Sequence, residues 1–234
     1  MLGNASTLWY VDTDDPVELL RAAPESDPIA AAALATQLYP EHDVRPITVG
    51  TLAGCAGPNR DEVYIGSYPG LTVVCTAEAA LVHPTKLPDL LVRPLASEHT
   101  YLVSFDTEVH WGAFAHWERG EFRRSFSSTR VDILENEGLP LVWERPFWAG
   151  EHAVAQPSVS RSLPFDAADF ADAANAQWLG YRYLEATDEE RIDPRSLAVS
   201  GFTLYPKGAA PAPVTPAKRG WSGPRWLRRG TARQ

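Results

Sequence analysis

Two groups of side chains in this 234-residue chain are of types that do chemistry. The first is the acidic run Asp12, Asp14 and Asp15. Carboxylates at the C-terminal end of a strand border the ligand crevice of open sheets, where they hold Mg²⁺ or assist phosphoryl transfer. Neither a glycine-rich phosphate loop nor a lysine accompanies this run. Asp15 also suits a helix N-cap, and Asp14 suits the helix dipole. The second group is Glu108, His110, Glu144, Glu151 and His152. Two imidazoles and a carboxylate would make a divalent-metal triad. However, Glu151-His152 lacks the second histidine of H-E-x-x-H. Neighbours on a strand also point to opposite faces, so these two share an ion only from a loop. A divalent metal is the one cofactor these residues would suit, and their spacing does not favour it.

Between Thr100 and His152 the chain carries four of its eight tryptophans (Trp111, Trp117, Trp143, Trp148) and three of its six histidines. Indoles at this density either clamp a sheet to covering helices or wall a ligand pocket. In the second case His110, His116, Glu144 and Trp148 would supply the contacts. The odd positions Trp111, Ala113, Ala115 and Trp117 alternate with Gly112, Phe114 and His116, and both sets are largely apolar. That pattern predicts a central strand covered on both faces, and so favours core. The turn Gly150-Glu151-His152 is where polar groups leave this segment free to meet a ligand. No G-x-S-x-G elbow, Cys-His signature, dinucleotide fingerprint or Walker motif is present, and acyl transfer therefore has no support.

Charge is segregated. The formal net charge is −9, yet residues 206–234 contain no acid and seven bases, so residues 1–205 carry −16. Arg219, Arg225, Arg228 and Arg229 interleave with Trp221 and Trp226, a composition that pairs phosphates, stacks bases or lies on an anionic surface. An acidic body would itself repel a nucleic-acid backbone. Cys55 and Cys75 show no metal-ligand spacing, and no secretory leader or apolar run of spanning length is present. Two thiols without such a leader then predict a cytoplasmic protein, where a disulfide between them is not favoured.

The elements that must position these groups are legible in outline. Thr7 to Asp12 reads as a strand. Asp15-Pro16-x-Glu18 reads as a capping box opening a short helix, and Asp27-Pro28 opens a second that runs from Ile29 to Tyr39. Val44 to Val49, interrupted at Pro46, is an edge strand, and Thr51 to Asn59 is a loop. Glu62–Ser67 and Leu71–Cys75 flank a Tyr68-Pro69-Gly70 turn. Leu87 to Leu95 holds a short helix. His99–Phe105, Trp111–Trp117 and Glu121–Ser127 form a meander, and a two-residue turn would pair Trp117 with Phe122 and Ala113 with Phe126. Asp166 and Asp169 open a helix towards Leu184, and Leu197–Tyr205 is a last strand. After it the chain turns to a Pro-, Ala- and Gly-rich linker.

Several of these stretches carry a resemblance. Tyr10-Val11-Asp12, Glu18-Leu19-Leu20-Arg21-Ala22, Gly66-Ser67-Tyr68-Pro69-Gly70, Trp117-x-x-Gly120, Arg124-Ser125-Phe126-Ser127, Glu135-Asn136-x-Gly138 and Pro146-Phe147-Trp148-Ala149-Gly150-Glu151-His152 resemble an uncharacterised actinobacterial domain-of-unknown-function family. The Trp-Ala-Gly-Glu-His ending is the most specific of them. The resemblance covers roughly residues 5 to 205 and implies one intact domain; no activity, cofactor or catalytic residue comes with it.

The expectation is thus an α+β protein. Residues 1–205 form one globular domain with a mixed, largely antiparallel sheet flanked by helices, and residues 206–234 form a disordered basic tail. The function expected is non-enzymatic binding of a small molecule or protein, with Asp12, Asp14, His110, Glu144, Trp148, Glu151 and His152 as candidate contacts. The rival is a metal-assisted hydrolase or phosphoryl-transfer enzyme using Asp12 and Asp14, or Glu151 and His152. A third reading makes the tail an adaptor for an anionic partner through Arg219, Arg225, Arg228 and Arg229.

Overall fold

The computed structural model describes residues 3–152, 162–184 and 192–209. Among these, nine strands form one sheet: β1 (Asn4–Val11), β2 (His42–Thr51), β3 (Glu62–Tyr68), β4 (Leu71–Thr76), β5 (His99–Asp106), β6 (Trp111–Glu118), β7 (Glu121–Ser128), β8 (Ile133–Gly138) and β9 (Ala198–Pro206). Their order is β2-β9-β3-β4-β1-β5-β6-β7-β8, and every ladder is antiparallel. The helices are α1 (Pro16–Arg21), α2 (Pro28–Leu38), α3 (Leu52–Cys55), α4 (Asp89–Val92), α5 (Arg145–Trp148) and α6 (Ala167–Leu179). The protein is α+β, with an antiparallel sheet flanked by helices. Arg219, Arg225, Arg228 and Arg229 lie outside the described residues.

The central strands are apolar at successive positions because both faces are covered. Trp9, Val103, Phe105, Phe114 and Phe126 pack on one side with Leu20 of α1 and with Phe170, Ala171 and Ala174 of α6. Leu8, Tyr10, Leu102, Ala115 and Trp117 pack on the other with Ala31, Leu34 and Leu38 of α2 and with Leu91 of α4. β6 is the doubly covered strand that its alternation predicts.

Three aspartates start helices as expected. Asp15 Oδ1 accepts from the Glu18 amide (2.9 Å), Asp27 Oδ1 from Ile29 and Ala30, and Asp166 Oδ1 from Ala168 and Asp169. The capping box at α1 is one-sided, however. Glu18 turns its carboxylate to Arg21 at 2.6 Å instead of to the Asp15 amide.

Other expectations need correction. The last helix stops at Leu179 rather than running towards Leu184, because Gly180 adopts a left-handed φ of 79° and closes it. A side chain there would also sit 2.7 Å from Val17 Cγ1. The 51–59 stretch contains the single turn α3, and β8 and α5 were not legible. Trp117 does pair with Phe122, but Phe126 pairs with Phe114, not Ala113. Arg123 is the extra residue of a β-bulge, and it shifts the register between these pairs. The β2 edge strand is likewise irregular between Pro46 and Val49.

Candidate functional site

Where β1 ends, the chain turns through Asp12-Thr13-Asp14 into α1. β5 begins alongside, with His99 opposite Val11, and α6 lays Gln177 and Trp178 across the same end of the sheet. These elements enclose a cleft of about 490 Å³, lined by Asp12, Asp14, Glu98, His99, Tyr101 and Trp178 among others. Its wall is a stack of rings. Trp178 lies on Tyr101 with centroids 4.4 Å apart and planes 11° from parallel, and His99 lies 5.6 Å from Tyr101 at 12°. The stack follows from the pleat, since His99 and Tyr101 are two residues apart on β5 and share a face.

His116, on β6, tilts against Tyr101 at 4.9 Å and shares a hydrogen bond with His99 (His116 Nε2 to His99 Nδ1, 3.2 Å). Burial, helped by the neighbouring His99, pushes the His116 imidazole down to about 4, so this ring is neutral at neutral pH. The shared bond needs one ring nitrogen to donate and the other to accept, and a neutral His116 ring can take either role. Burial, with Glu118 nearby, pushes the Tyr101 phenol up to about 12. Glu98 accepts from Arg119 Nη2 at 2.7 Å. The carboxylates of Asp12 and Asp14 accept no hydrogen bond and pair with no cation among the described residues.

Glu144 is elsewhere and fully buried. Its two oxygens accept from Arg124 Nε (2.8 Å) and Nη2 (2.7 Å), a bidentate pair in which both side chains are inaccessible. The Leu141 amide and Trp148 Nε1 complete its acceptor set. Arg124 Nη1 donates to Asn136 Oδ1 and to the carbonyls of Ser125 and Glu137. Every charge here is answered internally, and the cluster ties α5 to β7 and β8. Trp148 packs edge-on against Phe126 and Phe165. Trp143 meets Phe114 and Phe170, so these two indoles belong to the core.

Glu108 and His110 lie in the β5–β6 turn. His110, at φ 51°, places Nδ1 3.2 Å from Asp166 Oδ2 at the start of α6. Gly150 makes the expected turn with φ 78°. The exposed His152 then stacks on Phe147 at 3.9 Å, and Phe147 packs in turn on Phe165 and Phe170. His110, Glu151 and His152 thus gather near the N-terminal end of α6, whereas Asp12 and Asp14 lie at its C-terminal end. The twelve steps from Asp166 to Trp178 span roughly 18 Å at helical rise. The structure therefore divides the predicted contacts between two places.

A further buried carboxylate, Glu135, accepts from the Ser125 hydroxyl, the Thr85 amide (3.0 Å) and the Thr85 hydroxyl (2.7 Å), with His83 Nδ1 3.6 Å away. The serine donates to a carboxylate, not to an imidazole, so this is a structural tie rather than a nucleophile–base pair. Glu98, His99, Tyr101 and Trp178 were missed in the sequence. The His99-x-Tyr101 alternation, read beside a helical tryptophan, was the available signal.

Among the described residues, no three His, Cys, Asp or Glu side chains are grouped closely enough to hold a metal ion. No helix there is long and apolar enough to cross a membrane. Both cysteines are free thiols, and Cys75 is buried. Fold and site together define an α+β protein with one antiparallel sheet and an acidic, aromatic-walled cleft at the sheet's end. The chain belongs to the family of unknown function DUF6928, whose profile matches residues 5–202. No curated protein and no solved structure matches it.

Proposed function

We propose that this protein is a non-enzymatic binding module whose ligand enters the cleft between Asp12, His99 and Trp178. One observation carries the reading: this cluster lies in a cavity of ligand size, and its Asp12 and Asp14 carboxylates accept no hydrogen bond among the described residues. The Arg124–Glu144 and Glu135 clusters are satisfied from within. Asp12, Asp14 and Trp178 are the proposed contacts. His110, Glu144, Trp148, Glu151 and His152 act in the proposal as supports for α5 and for the start of α6. We further assign residues 1–205 to one domain in the cytoplasm, where Cys55 and Cys75 stay reduced.

The test is a small-fragment screen on the full-length chain, followed by amide and indole NMR shifts. Shifts clustered at Asp12, His99 and Trp178 are expected; fragments that bind only elsewhere would overturn the reading. The rival, metal-assisted hydrolysis or phosphoryl transfer through Asp12 and Asp14 or through Glu151 and His152, is tested at the first pair, which lines the cleft. It predicts that Mg²⁺ or Mn²⁺ raises the melting temperature of the wild-type protein more than that of Asp12→Asn. Equal shifts remove it.

A further inference from the structure

We infer that the cleft takes an organic cation borne on a flat, preferably aromatic, body, such as an arylamidine or arylalkylammonium; this rests on the cleft being the binding site proposed above. Charge is the first argument. The lining residues include the carboxylates of Asp12, Asp14 and Glu98 and neither a lysine nor an arginine. Glu98 is balanced by Arg119, which leaves Asp12 and Asp14 as a net negative field. A phosphate or carboxylate ligand would meet that field with neither a lysine nor an arginine in the lining to receive it. A cation meets two carboxylates that need not break existing bonds to accept it.

The wall is the second argument. The stack walls the cleft; Tyr101 is held between Trp178 and His99, so a flat ligand extends the stack on an outer ring, and an indole is the ring that attracts a cation most strongly. His99 continues the same stack, and its partner His116 is held neutral by burial, so it adds no opposing charge.

Size is the third argument. A bare metal ion needs several ligands drawn to about 2.0–2.6 Å around one point. The described side chains offer no such group of three, whereas about 490 Å³ is room for a small organic molecule. The cation must therefore bring its own body, which the stacked rings cover while the carboxylates hold its charge.

The experiment titrates full-length protein with benzamidine, neutral benzamide and anionic benzoate, followed by NMR shifts of Asp12, Asp14, His99 and the Trp178 indole. Benzamidine is expected to produce saturable shifts at these residues. The exposed double substitution Asp12→Asn/Asp14→Asn should weaken it on the order of tenfold, as loss of two charges near the ligand requires. Benzamide or benzoate binding there as tightly as benzamidine would overturn the cationic class and leave the cleft standing as a binding site. Absence of shifts at the cleft from all three probes at millimolar concentration would overturn the cationic inference. The general fragment screen then decides the cleft itself independently.

Discussion

Arg124 and Glu144 show how one residue pair can organise a region without being a site. Both are inaccessible, and their hydrogen bonds are complete. Removing one partner strands a buried charge, which typically costs about 3–5 kcal/mol. Arg124→Met should lower the urea midpoint accordingly. The double replacement Arg124→Met/Glu144→Leu should recover much of that loss, because desolvation of both ions offsets most of their attraction. Glu144 stood out in the sequence as a ligand candidate because its partner is 20 residues away on another element, and nothing local marks the pair. His116 supports a second prediction at this scale. Its folded-state value lies near 4, below the usual value of about 6.5. The unfolded chain therefore takes up the proton first, and stability declines as pH falls from about 6.5 to about 4. Around it stand His99, Glu118 and Arg123. His116→Gln should flatten this part of the stability–pH curve relative to wild type, measured by thermal melts across the range. An unchanged slope would contradict the burial argument.

At the scale of elements, α6 is the organiser. Its start holds His110 through Asp166, its middle packs Phe170 into the aromatic core, and its end places Trp178 on Tyr101. β6 approaches it so closely that a Cβ on Gly112 would lie 2.0 Å from the Ala167 carbonyl. Gly112→Ala must push helix and sheet apart. It should cost roughly 1–3 kcal/mol, the usual penalty of overpacking, and should perturb the near-UV signal of Trp178 at the far end of the helix. An unchanged melting temperature would show that the two elements yield independently. The helix starts were legible because Asp-Pro and Asp-x-x-Asp announce them chemically. β8 was not: of Ile133–Gly138 only Glu135 is buried, so this edge strand shows no apolar alternation. The cleft was half legible. Asp12 and Asp14 mark its rim by type and position. Trp178 was not marked, because helical spacing says which face a residue takes and not what lies beyond the helix end.

At the scale of the whole molecule, charge and architecture divide the labour. The body carries −16 and the segment from 206 onward +7. If that segment contacts an anionic partner, the contact should be electrostatic and separable from the cleft. The full-length triple substitution Arg225→Ala/Arg228→Ala/Arg229→Ala should reduce the salt dependence of single-stranded oligonucleotide binding by about 2 in log–log slope, with benzamidine titration of the cleft unchanged. An unaltered slope would remove these arginines from the contact. Within the sheet, the two ends of α6 separate the histidine-bearing turn from the acidic cleft, so a perturbation at one should reach the other only through the helix.

The bulge at Arg123 has a corollary for chain length. Trp117 faces Phe122 while His116 faces Arg124, and that single unmatched residue is what turns Arg124 and Phe126 towards α5 and α6. Deleting one codon here would re-phase all of β7. Arg124 would leave Glu144, Phe126 would leave Phe114, and Ser125 and Ser127 would enter the aromatic core. The length of many surface turns can vary without moving a buried strand, but between Trp117 and Arg124 the residue count itself decides which face of β7 meets the core, largely independently of which residues fill it.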